Sequence, residues 1–195
     1  MKLMNELYDY RAMLASLVHK DLVTRYKGSV LGFFWTFVNP LLQLVVYSLV
    51  FSVIMRVNVD KYYIYLFVAF IPWFFLSSSI LAGSSCILAN SNLIQKIYFP
   101  RLVIPLSTVA AGFVNMMLSM LVVFAALIFS GIGLSRFVIT LPIVMGVQFL
   151  FVLGLVLIFS AVNVYFRDLQ HILEIIVMAW FYVTPIVYTP GMVPQ

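Results

Sequence analysis

Charge is what this sequence has least of. Of its 195 residues only 9% are charged, against about a quarter in soluble domains, while 65% are hydrophobic. A water-soluble surface is excluded. Eight of the charged side chains fall within residues 1–27, and the nine that remain leave charge-free runs at 28–55, 62–95, 102–135, 137–166 and 175–195. Each run meets or exceeds the roughly 20 residues that a helix needs to cross about 30 Å of hydrocarbon. The runs also lack the polar–apolar alternation of a membrane barrel. In lipid every peptide group must then bond within its own segment, so the fold class is all-α, a polytopic helical membrane protein. Cysteine is nearly absent as well: Cys86 stands alone and cannot form an internal disulfide.

Residues 1–27 are of another material. Glu6, Asp9, Arg11, Lys20, Asp21 and Arg25 interrupt the apolar core that a cleavable signal would need, so the segment is expected to stay on the mature protein. Leu3, Leu7, Tyr10, Leu14, Leu17, Val18 and Leu22 recur at three- and four-residue steps, the pattern of an amphipathic helix. With no soluble core to receive that stripe, membrane or partner contact is expected. Residues 28–195 form the transmembrane domain, with spans expected at 32–55, 63–89, 103–131, 137–165 and 172–188. If the N-terminus is cytoplasmic, that side collects Lys2, Arg11, Lys20, Arg25, Lys27, Lys96, Arg101 and Arg167, and the far side only Arg56, Lys61 and Arg136. This imbalance favours a cytoplasmic N-terminus.

Chemistry is scarce. Asp168, His171 and Glu174 are the one titratable cluster beside a span. Steps of three residues fan them over roughly 120° of a helix, too wide to converge on one ion. No metal site is expected, and Asp168 reads as the N-cap of the fifth span. Span interiors hold no acid, base or histidine, which argues against an ion-coupled carrier. The phosphate-cradling pattern Gly-x-x-x-x-Gly-Lys-Ser/Thr is missing too. What the sequence does hold is small residues at four-residue steps (Gly28 and Gly32, Ser48 and Ser52, Ser79 and Gly83), which let helices approach. Aromatics make up 16%; Trp73 and Phe74 lie too deep in their span for an interfacial belt, and fit either core packing or stacking on sugar rings. Between Lys96 and Arg101 stand Ile97, Tyr98, Phe99 and Pro100. That stretch fits a short element docking on another protein or an interfacial aromatic anchor.

Read in order, Tyr26–Gly32 with Trp35 and Asn39–Pro40, then Phe70–Phe74, Asn92–Arg101, Tyr165–Leu169 and Thr184–Tyr188 form a series that resembles the permease subunits of ABC transporters exporting polysaccharides and polyol phosphates such as O-antigen, capsule and teichoic acid. The resemblance covers nearly the whole chain. It implies a multi-pass permease of the bacterial inner membrane, working as a homodimer among membrane lipids with a separate ATPase subunit and carrying an undecaprenyl-linked glycan. No cofactor is implied in this chain, since ATP and Mg would sit on the partner ATPase, and no nucleic acid is involved. By carry-over, Asn92, Leu93, Ile94, Lys96, Ile97, Tyr98, Phe99, Pro100 and Arg101 are the ATPase-coupling residues. Trp35, Trp73, Phe74, Trp180, Phe181 and Tyr182 are translocation-path candidates, and Arg25, Lys27, Arg167 and Asp168 lie at the cytoplasmic interface. Family permeases normally have six spans, whereas five are read here, so the chain is expected to be truncated at its C-terminal end. Three other readings stay open on the residues alone: an ABC permease for drug or lipid efflux, an intramembrane enzyme on lipid-linked sugars using Asp168, His171 and Glu174, and a structural or assembly subunit without transport.

Overall fold

The computed structural model of the chain describes residues 8–24, 28–47, 49–50, 62–129 and 136–186. Among them every regular element is helical: α1 (Arg11–Thr24), a 3₁₀ turn (Gly32–Phe34), α2 (Trp35–Tyr47), α3 (Tyr62–Ala89), α4 (Ser91–Lys96), α5 (Val103–Phe129), a 3₁₀ turn (Arg136–Thr140), α6 (Leu141–Tyr165) and α7 (Leu169–Val183). Among the described residues three helical stretches are long and apolar enough to cross a membrane: Leu66–Lys96, Val103–Ile128 and Val138–Tyr165. They correspond to the second, third and fourth expected spans. Of the first and fifth, the structure describes α2, 13 residues, and α7, 15 residues, each about 20–22 Å long; the outer parts of both expected spans lie outside the described residues.

Helix boundaries follow local chemistry. Gly28 and Gly32 have φ of +86° and +48°, left-handed backbone that favours glycine. Their four-residue spacing therefore makes a turn ahead of α2 rather than a helix-packing face, and a side chain at either would meet open space. Ser29 Oγ accepts the Gly32 N–H at 3.0 Å. At the C-terminal end of α3, Asn90 turns back and donates from Nδ2 to the Cys86 carbonyl at 2.9 Å, ending one helix so that α4 starts afresh. Pro142 sits in the first turn of α6, where its missing N–H costs nothing. The last helix stops at Thr184, whose extended backbone (ψ 133°) is what the following Pro185 enforces. Asp168 occupies the N-cap position of α7 but makes no side-chain cap bond; its backbone carbonyl, accepting from Ile172 N–H at 3.2 Å, supplies the first turn. The helix thus begins at Leu169, three residues before the expected span.

Everything is arranged around α3, which packs on α2, α5, α6 and α7. Its four-residue ladder Phe67, Ile71, Phe75, Ser79 and Gly83 is buried throughout, meeting Val109 and Met116 of α5, Val152 and Val156 of α6, and Leu173 and Val177 of α7. The ladder shrinks toward one end: a Cβ on Gly83 would stand 2.5 Å from Val156 Cγ1, and one on Gly112 of α5 would stand 2.7 Å from Ser79 Oγ. So Ser79 and Gly83 do admit close helices, as their spacing suggests; Ser48 and Ser52 lie outside the described residues. Two amides staple α6 to α3. Gln148 Nε2 donates to the Pro72 carbonyl at 2.7 Å and Asn163 Nδ2 to the Ser84 carbonyl at 3.0 Å. Such interhelical bonds contribute on average about 0.6 kcal/mol and up to about 1.7. Gln148→Met, which keeps length and loses the donor, should lower the unfolding free energy of the detergent-solubilised protein by about 1 kcal/mol, read by thermal melting; an unchanged melt would show that the staple carries no weight.

Candidate functional site

Three features stand out, one at the end of the bundle and two inside it. At the end, the segment after α3 runs through α4, then extended backbone at Ile97 (φ −132°, ψ 133°), and re-enters a helix through a turn in which Val103 N–H bonds the Pro100 carbonyl at 3.0 Å. Pro100, with no N–H to give, blocks one continuous helix. This geometry splits the expected coupling residues. Phe99 is buried at 7% exposure while its neighbour Tyr98 is 96% exposed. Phe99 joins Cys86, Val103 and Ile104 in a core that receives Tyr10, Met13, Leu14 and Leu17 from the N-terminal helix and Leu93 and Ile94 from α4. Ile97 points outward at 53% exposure; Asn92, Lys96 and Arg101 are exposed and Pro100 half-buried. Arg101 also lines, with Ile94, Leu102 and Tyr165, a groove of about 450 Å³ between this segment and α6.

The N-terminal stripe therefore has a receiver within the chain. Its members Tyr10, Leu14 and Leu17 pack on the Phe99 core, and the helix that carries the stripe lies against α5; Leu3 and Leu7 fall outside the described residues. So do Arg25 and Lys27, while Arg167 and Asp168 are exposed in the turn between α6 and α7. His171 Nδ1 and Glu174 Oε2 approach to 4.0 Å on the exposed side of α7, a spacing and exposure that make a weak pair at best. Among the described residues no three metal-binding side chains gather.

The second feature is aromatic. Trp73 meets Trp180 edge-on (6.0 Å between ring centroids, 84°) and Phe181 at 5.6 Å; Phe181 meets Tyr182 at 5.4 Å and Phe70 at 6.2 Å, and Phe70 stacks on Phe74 at 6.5 Å. Five of the six translocation-path candidates thus join one cluster between α3 and α7, which Phe151 of α6 extends onto Trp180. Edge-to-face pairing of this kind adds about 0.5–1.5 kcal/mol per pair to the burial itself, so much of the ring surface is already used in packing. Tyr182 and Phe74 keep 70% and 44% of theirs exposed. Trp35, half-buried at the start of α2, belongs to no described ring pair.

The third feature was not anticipated. Thr36, Asn39, Pro40 and Gln43 of α2 and Gly112, Asn115, Met116 and Ser119 of α5 line opposite walls of a cavity of about 120 Å³, closed on a third side by Phe70, Phe74, Phe75 and Ser78 of α3. Both walls use the steps i, i+3, i+4, i+7 that place side chains on one helix face. Thr36 Oγ1, Asn115 Oδ1 and the adjacent Ser79 Oγ are buried without a hydrogen-bond partner.

Comparison with known proteins now places this architecture. Residues 13–195 match the family model described as ABC-2 type transporter. The chain belongs to the ABC-2 type transporter family. It is 41% identical over 187 residues to the O-antigen export system permease protein RfbA of Myxococcus xanthus, spanning 96% of this chain and 72% of that protein. It is 36% and 35% identical to two O-antigen export system permease proteins RfbA of Klebsiella pneumoniae, in each case across 94% of this chain and 71% of the relative. An ABC-2 permease is a multi-pass membrane transport subunit rather than an enzyme.

Proposed function

We propose that this chain is the transmembrane permease of an exporter that moves an undecaprenyl-linked polysaccharide across the bacterial inner membrane, pairing with a second copy and driven by a separate ATPase that holds ATP and Mg. Kinship with O-antigen export permeases at 35–41% identity supports the cargo class. The observation that carries the mechanism is the split of Tyr98 from Phe99. Half of the motif is locked into the bundle through the α1 core and the other half stands clear of it. A side chain that exposes almost its whole ring at the bundle's end is shaped to be buried by something else, as aromatic anchors at protein interfaces are. Because Phe99 packs in one core with Val103, the first residue of α5, and with the N-terminal helix, a push on Tyr98 would be transmitted as displacement of α5 and α1 rather than absorbed in a loose loop. An ATPase partner would require residues 92–101 and the N-terminus on the cytoplasmic side, and the lysine and arginine bias supports that orientation.

Truncation of Tyr98 isolates the interface from the fold. Tyr98→Ala should leave the melting temperature unchanged, since the ring is 96% exposed, yet lower co-purification of the ATPase at least about tenfold, the loss of roughly 1.4 kcal/mol or more expected for an interface anchor. Full ATPase recovery with Tyr98→Ala would refute the coupling role.

A further inference from the structure

Membrane interiors do not tolerate polar atoms without partners, because no water stands by to satisfy them. Yet Thr36, only 2% exposed, has a buried hydroxyl without a hydrogen-bond partner, Asn115 has a buried amide oxygen without one, and both residues line the α2–α5 cavity. Asn115 lies twelve residues into the 27 of α5, about 18 Å from its start and so midway along the span. Pro40 sharpens the anomaly: lacking an N–H, it frees the carbonyl four residues back, which is that of Thr36. Asn39, Gln43 and Ser119 add further neutral donors and acceptors to the lining.

The chemistry of a fitting occupant follows by elimination. An ion would meet no opposite charge, since no acid, base or histidine is among the described residues of the lining, and an uncompensated charge at this depth is costly. A hydrocarbon chain would leave the hydroxyl and amide unpaired. A group that both donates and accepts without charge satisfies both walls, and about 120 Å³ admits several water-sized groups. We propose that the α2–α5 cavity is a mid-membrane binding site for neutral hydroxyl groups. Such hydroxyls come from water or from the sugars of a passing glycan; Phe74, partly exposed and shared between the aromatic cluster and the cavity, joins the site to that cluster. Only the glycan source rests on the exporter reading above.

Cysteine labelling in native membranes tests the site. In a Cys86→Ser background, Ser119→Cys and, as a control on the same helix, Leu121→Cys (59% exposed on the apolar side) are treated with methyl methanethiosulfonate, a small neutral reagent, and modification is followed by the protein's mass. Only a thiolate reacts and a thiolate needs a polar, hydrated setting, so Ser119→Cys should react at least about ten times faster than Leu121→Cys. Should Ser119→Cys fail to accumulate, Thr36→Cys on the facing wall takes the same measurement. Equal or slower reaction than the control overturns the proposal. A faster rate that drops in cells making the polymer assigns the hydroxyls to the glycan, and one that does not assigns them to water; either supports the site. The rates require no transport, so an error in the exporter reading would show separately, as surface polymer unaffected by deletion of the gene.

Discussion

Gly83→Ala should lower the stability of the bundle by about 1–3 kcal/mol, the usual cost of forcing an extra methyl into a packed core, and Val156→Ala in the same chain should restore most of it. The added Cβ would stand 2.5 and 2.8 Å from the two γ-carbons of Val156. Escape is limited, because Val156 is fully buried and a β-branched side chain in a helix has essentially one rotamer. Relief must come from separating α3 and α6, and that stretches the nearby bond from Asn163 to the Ser84 carbonyl. Gly112→Ala makes the instructive contrast. Its Cβ would meet the Ser79 hydroxyl at 2.7 Å, a single atom that can rotate away, so the cost there should be smaller. Melting curves in detergent for the two glycine variants and the double variant decide the matter. An unaltered melt for Gly83→Ala, or a double variant no better than the single, would mean that the close approach does not limit packing.

Why some of this was legible in the sequence and some not is a matter of what hydrocarbon punishes. Ionised groups are expelled from the bilayer, so charge-free runs located the helices 62–89, 103–129 and 141–165 to within a few residues. Asp168 was legible as the N-cap position of α7, although its side chain makes no cap bond; the helix begins in that polar turn, ahead of its apolar stretch. The N-terminal stripe announced itself, but its receiver did not: Phe99, Val103 and Ile104 lie some eighty residues further along the chain, and periodicity carries no information about distant partners. Spacing alone likewise gave Gly28 and Gly32 a packing role that positive φ angles reassign to a turn. The polar cavity was written in plain view as Thr36-x-x-Asn39-Pro40-x-x-Gln43 and Gly112-x-x-Asn115-Met116-x-x-Ser119. Neutral amides and hydroxyls lower hydropathy too little to interrupt a span, and a reading tuned to charge passes over them; counting uncharged polar residues on a helical period would have found both walls.

Phe99→Ala should do what Tyr98→Ala does not: loosen the N-terminal helix. Phe99 is the buried residue that the segment 92–101 contributes to the core against which Tyr10, Met13, Leu14 and Leu17 pack, and no described residue of α1 is itself fully buried. The helix is thus held by half-buried contacts onto a few fixed side chains, of which this ring is the largest. Truncating a buried phenylalanine costs about 3–5 kcal/mol, more than a 14-residue helix can recover elsewhere, since isolated helices of this length are marginal. The expected result is a lower melting temperature together with rapid proteolytic cleavage between residues 8 and 24, both reversed by Phe99→Leu, which refills most of the volume. ATPase co-purification should fall in Phe99→Ala as well, but only because the segment bearing Tyr98 loses its anchor, so Phe99→Leu should restore it while Tyr98→Leu should not. If Phe99→Ala kept α1 protected, the ring would not be what ties the segment 92–101 to the helix, and the proposed route from Tyr98 into the bundle would have to run through another residue.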